Sequence, residues 1–181
     1  MRIGVYVGSF NPPHEGHRHV AQYVLDEKLV DQVLFLPTPN YWDKKDLVDV
    51  ADRITMLKIY EKEGITVDTI HNSYPYTYQV LRSLKKDYPN YELFLIIGSD
   101  NLEKLHQWKH IGEVLKNKII VLKRGKICPN SYLKSYEKNF IYCEDFEFID
   151  VSSTQIRQGD SLYLDPFVRK YIKEKKLYEG N

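Results

Sequence analysis

The chain reads as an α/β protein with a doubly wound, mostly parallel sheet, and three observations carry that reading. Short apolar runs alternate with stretches of helical apolar spacing, and no two early strands are joined as a hairpin. The polar motifs also fall at the carboxyl ends of the strand-like runs, where open α/β sheets bind ligands. The first run, "RIGVYV" at 2–7, is a buried strand, and 16–29 follows as a helix with Val20, Tyr23, Val24 and Leu29 on one face. "QVLFLP" (32–37) is a second strand stopped by proline, and 50–64 is a helix closed by Gly64. "ITVDTI" (65–70) is a third strand and 77–89 a helix ended by proline. "YELFLIIG" (91–98) is the most apolar strand, "HIGEVLKN" a short helix and "KIIVLKR" (118–124) a fifth strand. The Tyr/Lys/Asn-rich segment 125–145 has no clear period. "FEFIDV" (146–151) is predicted as the sixth strand and 165–178 as the terminal helix.

With 181 residues and no repeat, low-complexity tract or linker, the chain is expected to form one domain over 1–181. A net charge of +1, from 26 Lys+Arg against 25 Asp+Glu, provides no global field for nucleic acid or an anionic membrane. No apolar run approaches the roughly 20 residues of a membrane span. Cys128 and Cys143 have no metal or redox spacing, which points to inert thiols in a reducing cytoplasm.

Three motifs carry chemistry. In "GSFNPPHEGH" (8–17), Gly8, Ser9 and Phe10 leave the first strand as expected substrate-binding residues, and a helix begins near Glu15–Gly16. His14 and His17 then lie at a helix N-terminus, where free N–H groups and the dipole favour an anion. Zinc is the weaker reading: Arg18 stands where H-E-x-x-H needs its second histidine, and no ligand companion is spaced nearby, so no metal ligand is assigned. Histidines that merely cap a helix are the plain alternative, disfavoured by the pairing with Gly8 and Gly16. G-x-G-x-x-G is absent, which argues against a hydride-transferring dehydrogenase. In "VSSTQIR" (151–157), Ser152, Ser153 and Thr154 are N-cap candidates and Arg157 follows one turn later, a second phosphate cradle. In "GSDNLEKLHQWKH" (98–110), Gly98 ends a strand, Asp100 suits ribose hydroxyls and Trp108 offers a planar face to a base.

The first motif resembles the H-x-G-H signature of the nucleotidyltransferase superfamily. The third in chain order, "VSSTQIR", resembles I-S-S-T-x-I-R of the nicotinate- or nicotinamide-mononucleotide adenylyltransferases, and the second, "GSDNLEKLHQWKH", is similar to their G-x-D…W-K. "PYTYQVL" is similar to their S-Y-T-x-x-T-L through Tyr76, Thr77 and Leu81, although Gln79 and Val80 depart from the usual Asp-Thr. "LPTPNYWDKKD" corresponds to a P-P-H-K loop without its His, leaving Lys44, or Lys45, as the phosphate-binding lysine. The C-terminal "DPFVRKYIKEKKLY" also matches, but only "QGDSLYL" separates Arg157 from Asp165, fewer residues than the family has.

The resemblance implies a Rossmann-like nucleotidyltransferase fold and a cytoplasmic enzyme joining ATP to a pyridine mononucleotide with release of pyrophosphate. It implies in-line attack without a covalent intermediate, and Mg2+ carried on the ATP phosphates. His14 and His17 would contact the reacting phosphates, Lys44 and Arg157 the pyrophosphate, Thr77 the pyridine substituent and Trp108 the pyridine ring. The alternatives are a pantetheine-phosphate or other small adenylyl- or cytidylyltransferase, against which Trp108 and Thr154 speak, and a non-catalytic nucleotide-binding module, disfavoured by intact His14, His17 and Arg157. Nicotinate versus nicotinamide, and oligomeric state, stay open at this level.

Overall fold

The computed structural model describes residues 1–40 and 46–180. Its strands are Arg2–Gly8 (β1), Gln32–Pro37 (β2), Ile65–Val67 (β3), Glu92–Gly98 (β4), Lys118–Leu122 (β5) and Phe140–Cys143 (β6). They form one sheet in the order β3-β2-β1-β4-β5-β6, and every pairing is parallel. The helices are Glu15–Asp26 (α1), Val50–Leu57 (α2), Thr77–Asp87 (α3), Ile111–Val114 (α4), Ser153–Arg157 (α5) and Pro166–Lys175 (α6). The strand order runs outward in both directions from β1 and β4, so the crossovers part there and leave a crevice beyond their carboxyl ends.

Burial on both faces explains why the central strands read as unbroken apolar runs. On one face Val5, Leu95, Ile97, Ile119 and Val121 pack with Val80, Leu81 and Leu84 of α3. On the other, Phe35, Phe94, Ile96 and Ile120 pack with Ala21 and Val24 of α1. Deleting such a side chain down to Ala costs roughly 2–5 kcal/mol. A third apolar cluster joins Met56 of α2, Val151, Ile156 and Val168 of α6, tying the C-terminal helix to the rest of the fold.

Three predicted elements differ by more than their end residues, and a segment without a predicted element gains one. The sixth strand is "FIYC" (140–143), inside the stretch without a clear period, and residues 146–151 form no strand. That segment has other partners: Phe146 packs on His19 and Tyr23, and the Glu147 carbonyl accepts from His19 Nε2 at 2.8 Å. The helix predicted over 50–64 ends at Leu57 and passes into a 3-10 turn, Lys58–Tyr60. Glu61 is turned toward β3, its carboxylate accepting the Val67 N–H at 3.0 Å, and Gly64 instead serves the turn into β3 at φ +83°. β3 stops at Val67 because the Asp68 carboxylate accepts the N–H groups of Ile70 (2.9 Å) and His71 (2.7 Å) in place of a strand neighbour. The unassigned segment also contains a 3-10 helix, Ser131–Asn139.

Candidate active site

A cavity of about 470 Å³ opens where β1 and β4 diverge. Gly8, His14 and His17 line it from the first motif, and Gly98, Asp100 and Trp108 from the second. Thr77, the first residue of α3, and Arg124, two residues beyond β5, complete its polar wall. Its size suits a small-molecule ligand.

The two histidines form an imidazole version of a capping box. His14 is the N-cap of α1, and its Nδ1 accepts the Gly16 N–H at 3.0 Å. His17, three residues on, returns its Nδ1 to accept the His14 N–H at 3.1 Å. The rings stack with centroids 3.8 Å apart. This packing needs glycine between them, because a Cβ on Gly16 would lie 2.8 Å from His14 Cε1. A backbone N–H can only donate, so each Nδ1 is unprotonated and each neutral ring carries its hydrogen on Nε2. Burial, reinforced by the charge of Arg124, lowers the His14 pKa to about 4. Burial, then His14, then Arg124 hold His17 well below the ordinary histidine range. The pair therefore offers two fixed N–H donors without charged rings, a pattern suited to phosphate oxygens.

Behind His17 the ring of Phe10 stands edge-on at 4.8 Å, and Phe10 itself is buried among Tyr6 and Phe35 at φ +47°. Phe10 is thus a wall under the histidine and does not line the cavity. Ser9 does not line it either; its carbonyl accepts from Arg53 at 2.8 Å. Arg53, fully buried in α2, also donates to the carbonyls of Thr38 (2.7 Å) and Val48 (2.9 Å), holding the loops after β1 and β2 together.

In the second motif the Asp100 carboxylate folds back onto Gly98, occupying the place a Cβ would take. A 3-10 helix, Ser99–Gln107, then delivers Trp108, which is partly buried against the core with a face on the cavity. The Ser99 hydroxyl donates to the Arg124 carbonyl at 2.8 Å and accepts the Arg124 N–H at 2.7 Å, fastening the end of β4 to the segment after β5.

The third motif is helical as predicted, with Ser152 as N-cap of α5, but it follows an irregular segment rather than a strand, and only its apolar Val151 lines the cavity while its polar side chains do not. It docks on the backbone of the first motif. Ser153 Oγ donates to the Pro12 carbonyl at 2.8 Å, and Arg157 Nη1 to the Asn11 carbonyl at 2.7 Å, with Nη2 3.3 Å from Thr154 Oγ1. The expectation that all three motifs line one site therefore holds for two, and the third acts on the first through its backbone. Lys44 and Lys45 lie outside the described residues.

Arg124, Phe146 and Phe148 line the cavity without having been singled out from the sequence. Arg124 had a usable signal, a cation directly past the carboxyl end of an apolar strand, the same position that marks the other two motifs. Its guanidinium reaches the Val151 carbonyl at 3.3 Å and sits 5.9 Å from the Phe148 ring. Arg53 had none, since an arginine on an amphipathic helix reads as surface. Among the described residues no group of three or more His, Cys, Asp or Glu side chains could hold a metal ion.

The family model for cytidylyltransferase-like proteins matches residues 5–159. A nicotinate-nucleotide adenylyltransferase of Bacillus subtilis is 34% identical over 194 residues, covering 99% of each chain. A protein of Lactiplantibacillus plantarum described as a probable nicotinate-nucleotide adenylyltransferase is 37% identical over 196 residues, covering 99% of this chain and 89% of that one. The fold is shared with the nicotinic acid mononucleotide adenylyltransferase of Plasmodium falciparum in complex with NaAD, at a TM-score of 0.80, 23% identity and coverage of 99% and 98%.

Proposed function

The chain belongs to the cytidylyltransferase-like family, among its nicotinate-nucleotide adenylyltransferases, and we propose that it transfers the adenylyl group of ATP to nicotinate mononucleotide. The phosphate oxygen of the mononucleotide attacks the α-phosphorus of ATP in line. The bond from that phosphorus to the β-phosphate oxygen breaks, and pyrophosphate leaves with the electron pair. No bond to the enzyme forms, so catalysis is positioning plus stabilisation of charge on phosphate oxygens.

The observation that carries this reading is the pair of neutral, tautomer-fixed imidazoles in a cavity that also holds Trp108, Asp100 and Thr77. His14 and His17 donate from Nε2 to oxygens around the reacting phosphorus. Arg124 supplies the positive charge on that wall. Arg157 uses two of its five N–H donors on Asn11 and Thr154, and we assign the remaining donors, with the charge of Lys44, to the leaving pyrophosphate. Asp100 takes ribose hydroxyls, Trp108 stacks on the pyridine ring and Thr77 meets its substituent. Ser152 and Ser153 shape the turn that carries Arg157. Magnesium brought in with the nucleotide would supply charge neutralisation on the phosphates, and no cluster of side chains among the described residues would hold it by itself. The two free cysteines, Cys128 exposed and Cys143 buried, support a cytoplasmic setting, and no described helix is long and apolar enough to cross a membrane.

The test is pyrophosphate release from ATP with nicotinate mononucleotide, nicotinamide mononucleotide and phosphopantetheine in parallel. Release is expected to be fastest with nicotinate mononucleotide. Faster release with phosphopantetheine, or none with either pyridine nucleotide, overturns the assignment.

A further inference from the structure

Asn11 is almost fully buried, 4% exposed, and both polar groups of its side chain are engaged, from two distant parts of the chain. Its Nδ2 donates to the Asp46 carbonyl at 2.7 Å, and its Oδ1 accepts the Val48 N–H at 3.2 Å. The same Oδ1 accepts the hydroxyl of Tyr178 at 2.7 Å, from a residue 167 positions away. Its backbone carbonyl holds Arg157.

Tyr178 is held for this contact. It follows α6, whose Tyr171 donates to Asp52 of α2 at 2.7 Å, and Leu177 packs with Val48 and Met56. Tyr178 itself sits at φ +64°, a backbone region costly for a side chain of this size, so the surrounding contacts over-determine it. Arg53 and Arg157 both lie close enough to lower the Tyr178 pKa, though burial outweighs them and the hydroxyl stays protonated as a donor. Between Asn11 and His14 stand only Pro12 and Pro13, whose φ angles are locked. Two fixed φ angles leave a shift of Asn11 fewer ways to be absorbed before it reaches His14.

We propose that Tyr178 is a positioning residue for adenylyl transfer, acting through Asn11: its hydroxyl on Oδ1 orders the amide that joins residues 46–48, the Arg157 anchor and the turn into His14. The C-terminal segment is then part of the phosphate side of the site. The proposal rests on the adenylyltransferase reading, and its signature is a loss in turnover with the pyridine-binding side untouched.

Tyr178→Phe removes only the hydroxyl. Loss of one such hydrogen bond corresponds to roughly a fivefold change. The expected result is about a fivefold fall in kcat, with the KM for nicotinate mononucleotide within twofold of wild type. In an Asn11→Ala background the same substitution should change kcat by less than twofold, because the acceptor it works through is gone. If Asn11→Ala does not fold, Asn11→Asp keeps the Oδ1 acceptor, and Tyr178→Phe must again cost about fivefold. An unchanged kcat in Tyr178→Phe, or an equal loss with and without the Asn11 side chain, overturns the proposal. The ¹⁵N imidazole resonances of His14 give a readout that needs no turnover: Tyr178→Phe should shift them in the substrate-free protein, and unshifted resonances also overturn it. A wild type that releases no pyrophosphate sinks the functional reading, while these resonances still decide the role of Tyr178.

Discussion

Buried histidine is used in two opposite ways in this molecule. At the end of β1, the Nδ1 atoms of His14 and His17 meet backbone N–H donors, so both rings must be neutral. At the end of β3, His71 is 2% exposed and both its nitrogens face carboxylates: Nδ1 lies 2.7 Å from Asp68 and Nε2 2.8 Å from Asp87. Only an imidazolium can donate to both. Burial pulls the His71 pKa down, but the hydrogen bonds to Asp68 and Asp87, with their charges, more than reverse it, and it is raised. The partner decides the charge, and the charge decides the use. The neutral pair faces the cavity with its donors free for a ligand. The charged ring has both donors consumed inside the fold, where it joins the exit of β3 to the end of α3 and frames the loop leading to Thr77.

The comparison breaks most visibly at His17. His17→Ala should lower kcat by roughly 10²–10³, the usual consequence of removing one donor aimed at transition-state charge, while loss of its capping hydrogen bond lowers stability by only about 1 kcal/mol. Turnover within threefold of wild type would remove His17 from the chemistry. Asp68→Ala should do the reverse. Breaking a buried ion pair costs roughly 3–5 kcal/mol, reduced here to about 2–3 because Asp87, with its side chain 51% exposed, still faces the ring. Chemical denaturation would show that loss, with kcat within threefold of wild type; a catalytic collapse in a stable Asp68→Ala protein would contradict the scaffold role.

The smallest effect sharpens the contrast by its sign. The His14 pKa is about 4 when folded against 6.5 unfolded, so between these values the unfolded chain binds the extra proton. Its neutral-state contribution is complete above pH 6.5 and is lost as pH falls toward 4. The His71 pKa is raised, so its contribution is complete below 6.5 and is lost as pH rises through the folded value. The melting-temperature difference between wild type and His71→Gln should therefore shrink with rising pH, and that between wild type and His14→Asn should shrink with falling pH. Parallel trends for the two variants would show that the histidines are not in opposite states.

Legibility from the sequence followed the range of the physics. The strands β1, β2, β4 and β5 were readable because each, after a polar first residue, runs on in apolar and aromatic residues on both faces. The edge strand was not: "FEFIDV" alternates well but is engaged by His19 and Tyr23, while the less regular "FIYC" supplies the strand that pairs with β5. His14, Gly16 and His17 were readable because their spacing is itself the structure, one turn at a helix start. Arg124 was overlooked although the strand-end position that marked the other motifs applied equally to it. For Arg157 the sequence suggested a phosphate contact, whereas the fold turns its guanidinium first to the Asn11 carbonyl.

What the sequence alone determined is the α/β class, the helix start at His14 and the kinds of side chain brought to the strand ends. Those depend on periodicity, capping and the room a glycine leaves, all settled within a few residues of chain. The tertiary structure alone decided which histidines are neutral and which is charged, which segment closes the sheet, and how the C-terminus reaches the first motif. The last two depend on partners far away along the chain, as with Ser153 and Pro12 at 141 positions or Tyr178 and Asn11 at 167, whereas the histidine charges depend on burial acting on partners that are mostly close in sequence. Desolvation and hydrogen-bond geometry exist only once the chain has closed on itself, so no local pattern can encode them.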